Sequence, residues 1–254
     1  MTSNSDNPEP PSGFINWYQG AVLADRYLET VLADWKNTGI LILQAPVLAG
    51  LAVLVWENVG RASESLYFVM VLSCFWIGCM NASREIVKER PLFLREKMVG
   101  VDVGAYLYSK VRVLAILNAL QVGMYGIIVY KYIDVMMGVG WLLIALYIAG
   151  LCGTCLGLLI SSVVKRSDYA VGLVPMLIIP QILFSPFAIK KDDYEGLSEF
   201  VYYLMPAQWG YESLVEFSKA GGSTLDAGGF LLPMLAFGVV FLLASYPFLK
   251  LAKY

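Results

Sequence analysis

Residues 84–97, Arg-Glu-Ile-Val-Lys-Glu-Arg-Pro-Leu-Phe-Leu-Arg-Glu-Lys, put eight charged side chains into fourteen positions, whereas the eighteen residues before them, 66–83, carry none. A charge at the centre of a bilayer costs about 2.5–3.5 kcal/mol, so threading this segment through would cost on the order of 20 kcal/mol. The charged segment must sit outside a membrane while its flanks sit inside. Lys and Arg here would be enough to set topology, but topology gives no reason for Glu85, Glu89 and Glu96. A mixed-charge surface suits electrostatic docking to a soluble partner. The docking candidates are Arg84, Glu85, Lys88, Glu89, Arg90, Arg95 and Glu96. Because a residue before proline disfavours helix, Arg90-Pro91 predicts a break. The second span is expected to run as helix to about Glu89, turn at Pro91, and resume as a short helix over 92–99.

Other chemistry-bearing residue types are sparse. The chain has no histidine, which removes the commonest general base and the commonest metal ligand. Its four cysteines, Cys74, Cys79, Cys152 and Cys155, lie inside apolar runs. Cys152-x-x-Cys155 reads as a redox or metal pair, or as small packing residues; a metal site would need further ligands. No catalytic residue, metal or disulfide framework is expected.

The elements that must carry these residues are membrane spans. Of 254 residues, 58% are hydrophobic and 15% charged, where a soluble chain carries nearer a quarter charged. A net charge of −2 argues against nucleic acid as a partner. The first twenty residues are polar and lack the basic start and apolar core of a signal peptide, so 1–20 is expected to be a disordered leader. Crossing the hydrocarbon core takes about 20 apolar residues. Six spans are predicted, at 39–57, 65–84, 105–131, 136–164, 169–189 and 227–249, with the charged segment placed at 84–104 and a loop at 190–226. The fold class is all-α, a polytopic membrane protein forming one domain over 21–254. Thirteen Lys and Arg fall on the side of the termini and the charged segment, against five on the other. The positive-inside rule then makes both termini cytoplasmic and the 190–226 loop external.

Before the first span, Ala24, Tyr27, Leu28, Val31, Leu32 and Trp35 recur at helical spacing, predicting an amphipathic helix over 21–36. Such a helix either lies in the membrane interface or packs on the bundle. In the fourth span Gly150, Gly153 and Gly157 keep one face small for close helix packing. Pro175, Pro180 and Pro186 interrupt the fifth. Asn118 and Gln121, in the third, are expected to make helix-to-helix hydrogen bonds.

Residues 84–97, followed by Ala105-Tyr-Leu-Tyr-Ser-Lys110, resemble the segment after the second span of ABC-2 type permeases. The resemblance is to the ABCG-like (White-type) branch and its bacterial relatives, in which the permease is often fused to an ATPase and a forkhead-associated domain. Leu43-Gln-Ala-Pro-Val47, Gly157-Leu-Leu-Ile-Ser-Ser162, the run at 170–184 and Met205-Pro-Ala-Gln-Trp-Gly-Tyr-Glu-Ser-Leu214 match in the family's order. The resemblance implies that 21–36 is the connecting helix, that 84–104 holds the coupling helix, and that 190–226 is an external re-entrant region. It implies export by alternating access across a dimer of two permease copies or paralogues, between the second and fifth spans, in a plasma or bacterial inner membrane. Phe75, Cys79, Met176, Ile179, Leu183 and Phe184 are the pathway residues so implied, with core packing as their alternative role. The sequence has no Gly-x-x-x-x-Gly-Lys-Ser/Thr loop, so ATP and Mg are expected in a partner ABC ATP-binding subunit or in a domain outside this sequence. Membrane lipid is the remaining expected partner. Two other readings are an intramembrane enzyme and a non-transporting anchor for a regulatory ATPase. The first is disfavoured because the spans lack ionisable groups and the chain lacks histidine.

Overall fold

In the computed structural model, residues 16–59, 63–188, 195–219 and 224–252 are described. Most of the expected leader lies outside them, as do parts of the 190–226 loop. Every regular element among the described residues is helical: α1 Trp17–Ala33, α2 Trp35–Trp56, α3 Glu64–Ala82, α4 Arg90–Met98, α5 Val103–Tyr132, α6 Val139–Val163, α7 Ser167–Leu183, α8 Leu197–Tyr203, α9 Pro206–Ser218 and α10 Thr224–Leu251.

Helices α2, α3, α5, α6 and α10 are long and apolar enough to cross a membrane. The expected fifth span is shorter than read. α7 has 17 residues, about 25 Å at 1.5 Å per residue, and stops at Leu183. Pro175 and Pro180 sit inside it, and turns carry the chain past Pro186. The leader also yields sooner than expected, because Asn16 accepts a hydrogen bond from the Gln19 amide and starts α1 at Trp17. Among the described residues of the 190–226 loop, 195–219 hold two helices, and α9 packs on α3, α6 and α10.

α3 and α6 form the centre of the bundle. Glycines let their backbones nearly touch: a Cβ on Gly153 would lie 2.0 Å from the Phe75 carbonyl oxygen, and one on Gly78 would lie 2.0 Å from that of Gly150. Gly157 faces the Cys79 carbonyl in the same way. The small face read from the sequence is therefore the seam that holds α3, in the manner of close-packed membrane helices. The Gly153→Leu variant is expected to lose about 3 kcal/mol, because only backbone could move to admit the side chain. A fall in denaturation midpoint in detergent would show it. A seam that tolerates leucine would mean the helices are further apart than described.

A second, smaller core lies at one end of the bundle, where Leu23, Ala24 and Tyr27 of α1 meet Ile86, Phe93, Leu94, Val103, Tyr106 and Leu107. The amphipathic helix is thus packed on the bundle, chiefly on α5, with Leu32 on its outer side; it ends at Ala33, so Trp35 of the predicted stripe, also exposed, begins α2 instead.

Candidate functional site

The charged segment folds differently from its sequence pattern. α3 ends at Ala82 rather than running to Glu89, and 83–86 turn into a 3-10 stretch, Val87–Glu89, before α4. Ser161 of α6 explains the early stop: its Oγ accepts from the amides of both Ile86 and Val87, at 3.0 Å each, so the turn's exposed donors are satisfied inside the bundle. Pro91 falls in the first turn of α4, where its missing N–H costs nothing.

Most of the charges point inward and tie helices together. Arg90 donates to the carbonyls of Val164 (2.7 Å) and Ser162 (3.0 Å), closing the C-terminus of α6. Lys97 does the same for α10, donating to Leu249, Lys250 and Ala252 at 3.0, 2.6 and 3.3 Å. Cations at helix C-termini satisfy orphan carbonyls and oppose the helix dipole. Arg26 of α1 grips Glu96 with two nitrogens, at 2.5 and 3.0 Å.

The centre of the cluster is Lys110 of α5, whose side chain is 1% exposed. Its Nζ lies 2.5 Å from Glu89 and 3.4 Å from the centre of the Tyr27 ring. The Tyr27 hydroxyl donates to Glu85, which also accepts from Lys88 at 2.7 Å. Burial, and then the Glu85 carboxylate, hold the Tyr27 phenol well above the usual tyrosine range, so it stays a donor. Glu85 and Glu89, read as docking acids, are therefore bound to α1 and α5. Arg84 is half-buried. Lys110 carries a signal of its own in the sequence: a cation two turns into a long, largely apolar helix, on the face that the bundle buries.

What α4 leaves outside is a stripe: Pro91, Leu92, Arg95, Met98 and Val99 are exposed, with Lys88 just before them. Met98 and Val99 are 69% and 84% exposed. Beneath the stripe a cleft of about 630 Å³ is lined by Arg90, Leu94, Lys165 and Leu251. The segments with most of the Lys and Arg, namely α1, the 83–102 turn, the end of α6 and the end of α10, all meet at this one end.

The six residues read as pathway do not come together within the chain. Phe75 and Cys79 are fully buried on the α6 seam. Met176, Ile179 and Leu183 form an exposed stripe on α7, and Phe184 caps it. The open side of α3 is instead Val69, Leu72, Trp76 and Met80, all partly exposed. The glycines of α6 carried the signal for which side of α3 is closed. In the bundle, Asn81 donates to Gln121, Gln121 to the Leu41 carbonyl at 2.7 Å, and Asn118 to the Tyr147 carbonyl at 3.1 Å, so the expected interhelical bonds are present.

The ABC-2 type transporter family model matches residues 18–217. The chain belongs to the ABC-2 type transporter family. This permease is also similar to an ABC transporter ATP-binding/permease protein of Mycobacterium tuberculosis, with 22% identity over 218 residues. The match covers 76% of this chain and 24% of that protein, so the chain spans about a quarter of the relative's length. The permease is thus a multi-pass membrane transport domain, built around the α3–α6 seam and closed at one end by its charged segment.

Proposed function

We propose that this permease forms the export pathway for an amphipathic or hydrophobic molecule such as a lipid, glycan or small metabolite. ATP hydrolysis in an ATP-binding subunit seated on α4 would drive it. The observation that carries the reading is the division of labour in the charged segment. Its acids and helix-capping cations lock α4 to α1, α5, α6 and α10, while one stripe, Leu92, Arg95, Met98 and Val99, faces away from the bundle. A short helix so anchored moves as one body with the spans it caps, and its free face, apolar with a cation, suits a groove in a partner. ATP and Mg belong to that partner. In this reading the charged end faces the cytoplasm of the plasma or inner membrane, an orientation that the excess of Lys and Arg at that end supports.

A second copy, or a paralogue, completes the pathway. Its wall on this side is the open face of α3 (Val69, Leu72, Trp76, Met80) together with the α7 stripe (Met176, Ile179, Leu183), in place of Phe75 and Cys79. The two α3 faces separate under substitution. Phe75→Ala is expected to cost about 3–5 kcal/mol in stability through the cavity it leaves in the seam. Trp76→Ala, at a side chain packed on the core but partly open, is expected to cost less than Phe75→Ala, about 1–3 kcal/mol, and to change substrate-stimulated ATP turnover. The deciding experiment reconstitutes the permease with its ATP-binding subunit in vesicles and follows ATP-dependent movement of candidate lipids and glycans. Docking with no transport of any of them, and ATP turnover indifferent to Trp76→Ala, would leave a membrane anchor in place of a transporter.

A further inference from the structure

α10 leans on α6 and, at the end away from the charged segment, on α9, and it only grazes α5. The wedge between them is a cleft of about 430 Å³ lined by Gly104, Leu107, Tyr108 and Val111 of α5 and by Leu242, Leu243 and Tyr246 of α10. Its volume falls in the range of about 300–1,000 Å³ that seats small ligands. Its walls are apolar except for the two tyrosines. Leu243 is 66% exposed, so the cleft opens sideways from the bundle into the bilayer.

Three observations fix the occupant's chemistry. The cleft sits at headgroup depth, since Tyr108 and Tyr246 flank it and Trp17 of α1 packs edge-on against Tyr108 at 5.1 Å; aromatic rings of this kind mark the membrane interface. Its outer end is cationic: Lys250, exposed and one turn beyond Tyr246 on the same stripe, holds its ammonium 5.8 Å from that ring. Asp102, two residues before Gly104, is engaged as the cap of α5, accepting from the Ala105 amide at 2.8 Å. We infer that this cleft binds one acyl chain of an anionic phospholipid from the leaflet at the charged end, with Lys250 meeting the phosphate. A lysine one turn beyond Tyr246 can keep its stem on apolar surface while its head reaches the interface. Such a lipid would wedge α1, α5 and α10 at the end where α4 is anchored. The inference requires membrane insertion but neither transport nor the partner ATPase.

The test is photolabelling of the full chain in vesicles, with phosphatidylglycerol or phosphatidylcholine bearing the same photoactivatable acyl chain, followed by peptide mapping. Label is expected to concentrate on 104–111 and 242–246 over the lipid-facing side of α2, and to favour phosphatidylglycerol. Leu242→Trp, which fills the cleft, should lower that label several-fold while leaving α2 labelled as before. Lys250→Glu should keep the label but abolish the preference for the anionic probe. If Leu242→Trp does not fold, Val111→Phe fills the same space, and the wild-type map stands alone. Label spread in proportion to exposed apolar surface, equal labelling by both probes, or chain-to-chain crosslinks at these peptides in place of lipid would each overturn the inference.

Discussion

The Lys110→Met variant is expected to unfold about 3 kcal/mol more easily than wild type, the low end of the cost of breaking a buried ion pair. The low end applies because Glu89, its partner, keeps 20% of its side chain in solvent. Three interactions go at once: the 2.5 Å contact to Glu89, the ammonium over the Tyr27 ring, and the shielding that lets Glu85 and Glu89 sit near each other. A desolvated cation over an aromatic face is worth about 2 kcal/mol by itself. Removing Glu89 as well should return much of the loss, since an apolar pair of similar volume is often as stable as the ion pair it replaces. The Lys110→Met/Glu89→Leu variant should therefore lie closer to wild type than either single change, a coupling that a double-mutant cycle of denaturation midpoints reads directly. Near-additive losses would mean that Lys110 stabilises the α1–α5 contact through packing alone.

That cluster also shows how far the sequence could be read. The all-helical membrane fold follows from runs of apolar residues too long for anything else, and among the described residues five helices of membrane length realise it. The glycines of α6 were legible as a packing face because a missing side chain can be felt only by a close neighbour. What they packed against was not, because Phe75 and Cys79 look the same whether they face a pathway or a seam. The acids of the charged segment were misread for a related reason. Local pattern places Glu85 and Glu89 beside Lys and Arg at the surface, while their partners Tyr27 and Lys110 are remote in sequence, 58 and 21 residues away. Proline's preferences located a break near residue 90, but the hydroxyl of Ser161, 74 residues distant from Val87, moved the end of α3 back to Ala82. Long-range hydrogen bonds decide such boundaries, and no window along the chain contains them.

The same geometry separates two effects that a charge-reversal experiment on the acids would confound. Glu85→Lys places a second cation against Lys88, and Glu89→Lys one against Lys110, and each should fail by unfolding the charged end, whatever docks there. The outward stripe is free of this problem. Leu92→Asp combined with Met98→Asp changes side chains that are 43% and 69% exposed and face away from both cores. Stability should hold to within about 0.5 kcal/mol per site, as for surface substitutions away from packed features. Affinity for the ATP-binding subunit should instead fall by about 2 kcal/mol or more, some thirtyfold, because these residues would lie at the desolvated centre of the contact. Co-purification of the two subunits and substrate-stimulated ATP turnover should be lost together, with the denaturation midpoint of the permease unmoved. Arg95→Glu should add to the loss at low salt and less at high salt, since an exposed charge acts within a screening length of about 10 Å at 0.1 M. A subunit that still binds the Leu92→Asp/Met98→Asp permease at full strength would show that α4 is not its seat, and would move the search to the cleft formed by Arg90, Lys165 and Leu251. If the stripe is the seat, force enters through α4 and leaves along the hydrogen bonds of Arg90 and Lys97 into α6 and α10, and through Lys110 into α5.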